Sequence, residues 1–497
     1  MGVMRFLTPQ RERIPDEALA RSYVAGFDLV PMPTEKAWED GRILRIERAI
    51  DDSGALHIPW CVEGHGVPLL STASLMERER PYLLPLELAR GTVFRLRSKA
   101  EIWGAAGLDV AAALQSQIRA ATDAFSRAAM SQHLPDSAAV SAEWAIRIAL
   151  DSVRGLGDEY TRQVLAARHA EAEQLPTLLA GNVGPALMPE NAQPMFGAAF
   201  NSALCPLSWR QVQPAADQWQ WSLCDKQMQQ CLRQGLRVLG GPLCQLQPDF
   251  LPEWVLSSDE SFDMLTRNHR QYVAAVVQRY RGQVQLWYCA AGMNCCGELP
   301  LDDEERVRLT VGAIETARRV DPRTPVIVGV DQPWGEYMAD DPAALSPWQF
   351  AEMLVRADLG VAGLALELNL GYWPGGTLPR DILDFSDLID LWGLFGLPLI
   401  LVITLPSSDE SDAAAHPQAG RPVAGASCER WTPPAQKEWA ERVLALALAK
   451  QSISAVVWNQ VFDALPHRYA HGGAFDPRWM PKPMLSALIA ARRDHLE

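Results

Sequence analysis

Two carboxylic acids lie at the ends of consecutive apolar segments in the second half of the chain, and their positions suggest acid–base chemistry. Asp331 closes VIVGVD, and Glu367 lies near the end of LALELNL. Both segments have the short, apolar character of buried parallel strands, whose carboxyl ends gather at one edge of a sheet. Two carboxyl groups can act as general acid and general base when their surroundings separate their pKa values. Asp331 and Glu367 are therefore the candidate catalytic residues, with loop capping as the alternative role for Asp331.

Aromatic and amide side chains follow the ends of several such segments, and the combination is typical of a sugar-binding site. Flat indole faces can stack on pyranose rings, and side-chain amides can bond to hydroxyl groups. Packing in the core is the alternative for the tryptophans, and it is the preferred interpretation for Trp287. The candidate substrate-binding residues are Trp209, Asn294, Trp334, Asn369, Trp373, Trp458 and Asn459.

Other reactive residue types lack the partners that their chemistry needs. His467 and His471 have the i, i+4 spacing of a metal pair, but two glycines follow them and no HExxH motif is present. Cys295 stands beside Cys296 with no histidine partner visible in the sequence, which argues against a nucleophilic thiol. Glu298 precedes a run of helix-initiating acids, where a capping role is expected. We therefore expect no metal site and no cofactor.

Composition and charge exclude several classes of function. The net charge of −15 comes without any cluster of Lys and Arg, so a nucleic-acid groove is not expected. No segment reaches about 18 uncharged apolar residues, and the first residues lack a signal-peptide pattern. We therefore expect no membrane span and a cytoplasmic location. The nine cysteines show no paired spacing, which favours reduced, mostly buried thiols. Nothing in these patterns indicates an oligomeric state.

The hydrophobic pattern divides the chain into three regions. Residues 1–107 indicate a β-rich, sandwich-like domain, in which a DDSG hairpin turn joins GRILRIERAI to ALHIPWCVEG and TVFRLRSKAEIW forms a further strand. Residues 108–174 have a helical period and predict a two-helix connector. Residues 175–497 alternate eight apolar strands with amphipathic helices, which predicts an α/β fold, a (β/α)₈ barrel. A doubly wound open sheet is the alternative, but no GxGxxG follows a first strand.

The segments around the second, third and eighth predicted barrel strands carry an ordered set of residues. FNSALCPLSWRQVQPAADQWQWSLCD, GLRVLGGPL and LPEWV contain Phe200, Asn201, Trp209, Pro214, Trp219, Gln220, Trp221, Asp225, Gly240, Leu243, Pro252 and Trp254. SAVVWNQVFD and DPRWMPKPMLSAL come near the end. Together they resemble glycoside hydrolase family 10, the endo-xylanase barrels, over about two thirds of the chain. The resemblance implies a barrel of carbohydrate metabolism with a glycan or glycoside as its ligand.

The two catalytic glutamates of that family have no counterpart in this alignment. In that family, one glutamate at the end of strand four donates a proton, and a second glutamate at the end of strand seven attacks the sugar. Those positions fall on Gly292 and Leu405, or on Cys295 if Asn294 is aligned with the family's asparagine. The family's sugar-gripping residues fall on Cys205, Ser208, Gly241, Glu367 and Asn369. The resemblance therefore implies the scaffold without its usual hydrolysis.

Three functions are compatible with this pattern. The first is glycan or glycoside binding by a barrel that has lost two-glutamate hydrolysis. The second is an active O-glycosyl hydrolase with relocated acids, most plausibly Glu367 with Asp331. The third is a structural or assembly protein in which the barrel is a scaffold, and a barrel mouth without a concavity would favour it.

Overall fold

The computed structural model describes residues 2–257, 261–295, 297–341, 344–416, 420–423 and 430–496. Cys296 and Cys428, two of the nine predicted reduced thiols, lie outside the described residues.

The chain contains strands and helices throughout the described ranges. The strands are β1 Gly2–Leu7, β2 Tyr23–Ala25, β3 Pro31–Met32, β4 Glu35–Glu39, β5 Ile43–Arg48, β6 Ala55–Pro59, β7 Leu69–Ser71, β8 Tyr82–Leu83, β9 Leu178–Asn182, β10 Ser202–Cys205, β11 Arg237–Gly240, β12 Leu286–Ala290, β13 Val326–Asp331, β14 Val361–Asn369, β15 Tyr372–Trp373, β16 Leu399–Thr404, β17 Arg421–Pro422 and β18 Ile453–Trp458. The α-helices are α1 Asp16–Ala20, α2 Leu84–Ala105, α3 Ala112–Met130, α4 Pro135–Glu171, α5 Gln193–Ala199, α6 Trp209–Val212, α7 Ser222–Arg233, α8 Glu253–Leu256, α9 Phe262–Tyr280, α10 Asp303–Val320, α11 Pro347–Arg356, α12 Ile382–Trp392, α13 Pro433–Ala449 and α14 Pro483–His495.

The N-terminal β-rich region consists of two four-stranded sheets, with strand orders β4-β5-β1-β8 and β3-β2-β6-β7. β1 and β5 bury alternate residues, as expected for strands with one face on a core. The predicted DDSG hairpin is wrong, because β5 and β6 belong to different sheets and the chain crosses between them at that turn. Inward residues of both sheets join one hydrophobic cluster, so the crossing keeps both apolar faces buried.

The helical region begins earlier than the sequence pattern suggested. TVFRLRSKAEIW lies inside α2 and is not a strand. Its Thr, Val and Phe favour strands locally, but Leu88, Thr92, Leu96 and Trp103 are buried at helical spacing. α2 packs against α3 and α4, so tertiary burial overrides the local preference. The two predicted connector helices, α3 and α4, are both present.

The last two thirds of the chain, from β9 to α14, form the predicted (β/α)₈ barrel. Eight parallel strands close in the order β9, β10, β11, β12, β13, β14, β16, β18 and back to β9. They are the eight apolar runs identified in the sequence, and helices lie between consecutive strands. Side chains that alternate along each strand divide into two sets, because successive residues point to opposite faces.

The inward set fills the barrel with small and branched side chains and with the ring of Tyr288. It forms its own cluster, consisting of Ala180, Leu204, Leu239, Tyr288, Ala291, Ile327, Ala365, Ile400, Val402, Ala455 and Val457. The outward set joins the larger core under the helices. By the same alternation, Asp331, Glu367, Asn369 and Thr404 continue the inward rows at the carboxyl ends of their strands.

The helices around the barrel follow the capping rules that the sequence displays. At the start of α10, Asp302 accepts a hydrogen bond from the backbone N–H of Glu305, whose side chain accepts one from Asp302 in return. The same reciprocal arrangement joins Ser346 and Gln349 at the start of α11. α10 ends with Arg318 and Arg319, as the helix dipole favours.

Hydrogen bonds connect the N-terminal sheets to loops at the carboxyl end of the barrel. Arg380, on the loop before α12, donates hydrogen bonds to Tyr23 Oη at 2.7 Å and to Glu336 Oε1 at 2.9 Å, and all three side chains are buried. The backbone N–H of Leu69 donates to Pro379 O at 2.8 Å. This buried junction links the β-rich region to the barrel rim.

The cysteines mostly agree with the sequence interpretation, with one exception. The free thiols among the described residues are Cys205, Cys224, Cys231, Cys244, Cys289 and Cys295, and all except the half-buried Cys295 are buried. Cys61 is disulfide-bonded, so the expectation of a reduced thiol is wrong there. Since disulfides are uncommon in cytosolic proteins, this bond argues against the cytoplasmic location, which stays a prediction. Across the described ranges, no helix has the length and apolar character needed to span a membrane.

Candidate functional site

A cavity of about 430 Å³ opens at the carboxyl ends of the barrel strands. We call it the mouth cavity, and its wall includes Asn182, Tyr288, Glu367, Asn459, Arg468 and Tyr469. Loops after β10, β11 and β18 form its sides. Its volume lies within the roughly 300–1,000 Å³ typical of small-molecule sites, and its position is that of (β/α)₈ active sites.

Glu367 is the buried carboxyl group of this wall. Its side chain accepts a hydrogen bond from Tyr288 Oη at 2.7 Å, and only 3% of the residue is exposed. Burial, followed by the neighbouring charge of Asp331, raises the pKa of Glu367 from 4.5 to about 7. The group can therefore hold or release a proton near neutral pH, which is a requirement for a general acid or base.

The Tyr288 ring, on β12, reaches Glu367, on β14, by passing over the intervening strand β13. Gly329 of β13 has no side chain and leaves room for the ring. A Cβ atom added to Gly329 would collide with the ring and hydroxyl of Tyr288. Tyr288 was not among the predicted site residues. The signal available in the sequence was a tyrosine inside an apolar strand, because its hydroxyl group needs a hydrogen-bond partner when it is buried.

Asp331 is the in-register neighbour of Glu367, on the adjacent strand β13. It is 2% exposed and does not line the mouth cavity. Burial raises its pKa, and Arg468 opposes that effect. Asp331 Oδ1 also accepts the backbone N–H of Gln332 at 2.9 Å, and Gln332 has a φ of +46°. The loop-capping role that the sequence left open is thus present together with the ionic one.

A chain of polar contacts continues from Asp331 around the barrel mouth. Asn369 Nδ2 donates to Asp331 Oδ1 at 3.5 Å, while Asn369 Oδ1 accepts from Thr404 Oγ1 at 2.8 Å and from Asn459 Nδ2 at 3.4 Å. Asn459 is half-buried and lines the cavity, whereas Asn369 is fully buried. The ends of β13, β14, β16 and β18 therefore share one network.

Asn294 has a structural role instead. Its amide exchanges two hydrogen bonds with the backbone of Asp331, at 2.8 Å and 2.9 Å, and it is 1% exposed. It joins the loop after β12 to the end of β13 and does not line the cavity.

Arg468 is the cationic member of the site, and sequence reasoning missed it. It lies on the loop after β18, in a segment without a recognisable functional motif. Its Nη2 is 3.6 Å from Asp331 Oδ2, and its guanidinium carbon is 5.0 Å from the centre of the Tyr469 ring. Arg468 thus places a positive charge on the cavity wall beside Asp331.

The predicted tryptophans lie away from the mouth cavity. Trp209 is fully buried between Trp254 and Tyr272, and Trp458 is fully buried with its Nε1 donating to Gly472 O. Trp334 packs on Phe385 under the guanidinium group of Arg380, and Trp373 packs against the N-terminal sheet. The core-packing alternative describes all four side chains.

His467 and His471 share one acidic neighbour, Asp412. Asp412 Oδ2 lies 2.9 Å from His467 Nε2 and 3.6 Å from His471 Nδ1. These contacts connect the loop after β16 to the loop after β18 at one side of the cavity. No cluster of three possible metal ligands occurs in the part of the chain that the structure describes. Cys295 lies near Asn294 and the Asp331 carbonyl group.

The two positions aligned with the family's glutamates have different surroundings. Gly292 has a φ of +63° and lies next to Asp331. Leu405 is fully buried in the outer core, and the inward-facing residue beside it is Thr404. An acidic side chain is therefore absent at the end of β16 in either register, and Ala291 is equally without one at the end of β12.

Comparison with known proteins was consistent with the sequence interpretation of the barrel. Residues 182–290 match the family model described as Glycosyl hydrolase family 10. The resemblance to glycoside hydrolase family 10 is confirmed over this segment. The matched segment contains the barrel strands β10, β11 and β12 and the last residue of β9, and it includes Tyr288 of the site. A search of curated proteins found no match.

Solved xylanase structures also align with the chain, at low identity. Native xylanase 10B from Thermotoga maritima is 14% identical with a TM-score of 0.48, and covers 65% of this chain and 97% of its own. Xylanase B from Clostridium stercorarium F9 is 15% identical with a TM-score of 0.48, and covers 65% and 98%. Xylanase XynB from Paenibacillus barcinonensis is 17% identical with a TM-score of 0.46, and covers 65% and 97%. The barrel assignment rests on the closed strand order itself.

Proposed function

We propose that this glycoside hydrolase family 10-like chain binds a glycan or glycoside in the mouth cavity and has lost two-glutamate hydrolysis. The observation that carries the proposal is the cavity of about 430 Å³, whose wall combines Glu367, Asn459 and Arg468 with aromatic Tyr288 and Tyr469. Amide, carboxyl and guanidinium groups are suited to sugar hydroxyl groups, and a tyrosine ring offers an apolar face.

The arrangement of the acids supports loss of the usual hydrolysis. A retaining glycosidase needs two carboxyl groups about 5–5.5 Å apart on either side of the bond that is cleaved, and an inverting one needs them about 6.5–9.5 Å apart. Glu367 and Asp331 lie side by side on neighbouring strands, and of the two only Glu367 lines the cavity. Gly292 and Leu405 supply no carboxyl group at the aligned positions.

A second candidate is glycoside cleavage in which Glu367 alone transfers the proton. Its pKa of about 7 and its position on the cavity wall favour this role. A scaffolding role for the barrel is less favoured, because an assembly protein has no need for a polar cavity at the carboxyl end of its strands.

Calorimetric titration of the full chain with neutral xylo-oligosaccharides and nitrophenyl glycosides tests binding. We expect saturable binding that weakens in Asn459→Ala, while Glu298→Gln, which alters an exposed acid, binds as the unmodified protein does. Absence of binding to every member of the panel contradicts the proposal.

Release of nitrophenol from the same glycosides distinguishes the two candidates. The binding proposal predicts no release above the protein-free rate. Release that disappears in Glu367→Gln supports the second candidate instead. Release that persists in both Glu367→Gln and Asp331→Asn removes both acids from consideration.

A further inference from the structure

Arg468 has unused hydrogen-bonding capacity inside the mouth cavity. Its side chain is 21% exposed, and it lines the cavity. Its single ionic contact among the described residues is with Asp331, at 3.6 Å, which is too long for a hydrogen bond. A guanidinium group carries five N–H donors in a planar fork, and within the described ranges none of those of Arg468 makes a hydrogen bond, so they are available to a ligand.

A buried arginine at the barrel rim, Arg380, shows what a structural role looks like in this protein. Arg380 is 4% exposed and donates directly to Tyr23 and Glu336 at 2.7 Å and 2.9 Å. Arg468 makes no comparable bond to any residue within the described ranges. Its charge is balanced by Asp331 at a distance, and its donors remain available.

Among anionic ligands, the surrounding charges favour one negative charge over two. Asp331 lies 3.6 Å from Arg468, and Glu367 and exposed Asp249 line the cavity wall. His467 precedes Arg468 on the same loop, and His416 lines the cavity from the loop after β16. Glu367 is largely protonated below its pKa of about 7, so it does not repel an anion at that pH. A phosphate ester carries about −1.5 to −2 charges and would meet Asp331 and Asp249 with a single fully charged cation beside it.

We propose that the mouth cavity prefers a glycoside bearing a carboxylate, a uronic acid, and that Arg468 binds the carboxylate through its planar fork. The fork of arginine and the two oxygens of a carboxylate match in a bidentate pair, which is stronger and more directional than a bond to a hydroxyl group. This inference rests on the proposed function, because it names the sugar class of the same cavity.

Matched pairs of ligands test the preference. Nitrophenyl glucuronides and galacturonides of both anomeric forms are compared by calorimetry with the corresponding glucosides and galactosides, at a pH near 6. The members of each pair differ only in a carboxylate against a hydroxymethyl group. We expect the uronide to bind on the order of tenfold to a hundredfold more tightly, as hydrogen bonds to a charged group imply.

Variants of Arg468 assign the preference to this side chain. Arg468→Gln removes the charge and the fork, and is expected to abolish the difference in affinity between the two members of each pair. Arg468→Lys keeps the charge without the fork and is expected to retain part of the difference. Arg493→Gln alters an exposed arginine paired with Asp494 and is the control, expected to behave as the unmodified protein. Circular dichroism and thermal melting confirm that each variant is folded.

The outcomes separate this inference from the function on which it rests. Equal binding of uronides and neutral glycosides overturns the inference and leaves glycoside binding intact. A preference that survives in Arg468→Gln also overturns it, as does tighter binding of glucose 6-phosphate than of the uronides. Failure of every sugar to bind overturns both proposals.

Discussion

Replacement of Glu367 by Gln should make the protein more stable at neutral and alkaline pH. Glu367 is buried, and its pKa rises from 4.5 to about 7 in the folded state. Between those two values the folded protein keeps a proton that the unfolded chain releases. The stabilisation by this bound proton is therefore fully present below the unfolded-state pKa of 4.5. It is lost as the pH rises through the folded-state pKa of about 7. Glutamine has no proton to lose, keeps nearly the same shape and still offers an oxygen to Tyr288.

The size of the effect follows from the pKa difference. A difference of about 2.5 units, at 1.36 kcal/mol per unit, corresponds to about 3 kcal/mol of lost stability above pH 7. Asp331 titrates as a coupled partner, so this amount belongs to the pair. Glu367→Gln is expected to match the unmodified protein near pH 4.5 and to exceed it by up to about 3 kcal/mol near pH 8.

Urea denaturation at a series of pH values measures this difference. The midpoints of the barrel's unfolding transition should diverge between the two proteins as pH rises, with similar slopes. Glu298→Gln, in which an exposed carboxyl group is removed, is the matched control and should follow the unmodified protein. Parallel pH profiles for Glu367→Gln and the unmodified protein would refute the argument that burial raises the pKa of Glu367.

Three further substitutions, together with one control substitution, test the packing that supports the site. Arg380→Met should lower the free energy of unfolding by about 3–5 kcal/mol, because it leaves Glu336 buried without its cation. Gly329→Ala should cost about 1–3 kcal/mol by crowding the tyrosine ring inside the barrel, whereas Gly104→Ala, in open space near the end of a helix, should be neutral or stabilising. Leu405→Glu should destabilise the protein severely, because it buries a carboxyl group in an apolar core, and should not create hydrolytic activity. Chemical denaturation measures all four variants.

Each of these predictions has an outcome that contradicts it. If Arg380→Met is as stable as the unmodified protein, the junction between the β-rich region and the barrel does not depend on this ion pair. Equal effects of the two glycine substitutions would mean that the barrel interior has room beside Tyr288. A stable, hydrolytically active Leu405→Glu would show that this position faces the cavity.

The barrel was predictable from the sequence because its strands and helices carry local signals. Strands buried on both faces are short runs of Val, Ile, Leu and Ala. Their alternation with amphipathic segments is compatible with few architectures other than a parallel α/β fold. Capping acids such as Asp302 mark helix starts in the same local way. The N-terminal region was less predictable, since α2 carries β-branched and aromatic residues and its helical state depends on packing against α4.

The site was predictable only in part, for a related reason. Asp331, Glu367, Asn369 and Asn459 were identified because each ends an apolar strand, and the carboxyl ends of parallel strands converge. The indole groups were also visible, but whether a tryptophan faces a cavity or the core depends on neighbours far away in the chain. Trp209 and Trp458 lie in the core.

The sequence by itself determined the strand and helix periods and the acids at the strand ends. Tertiary structure alone decided which of these groups share a cavity. Arg468 lies more than 100 residues after both acids in the chain, yet its guanidinium group is 3.6 Å from Asp331. The raised pKa of Glu367 has the same origin, because burial and a neighbouring charge arise only when strands distant in sequence close into a barrel.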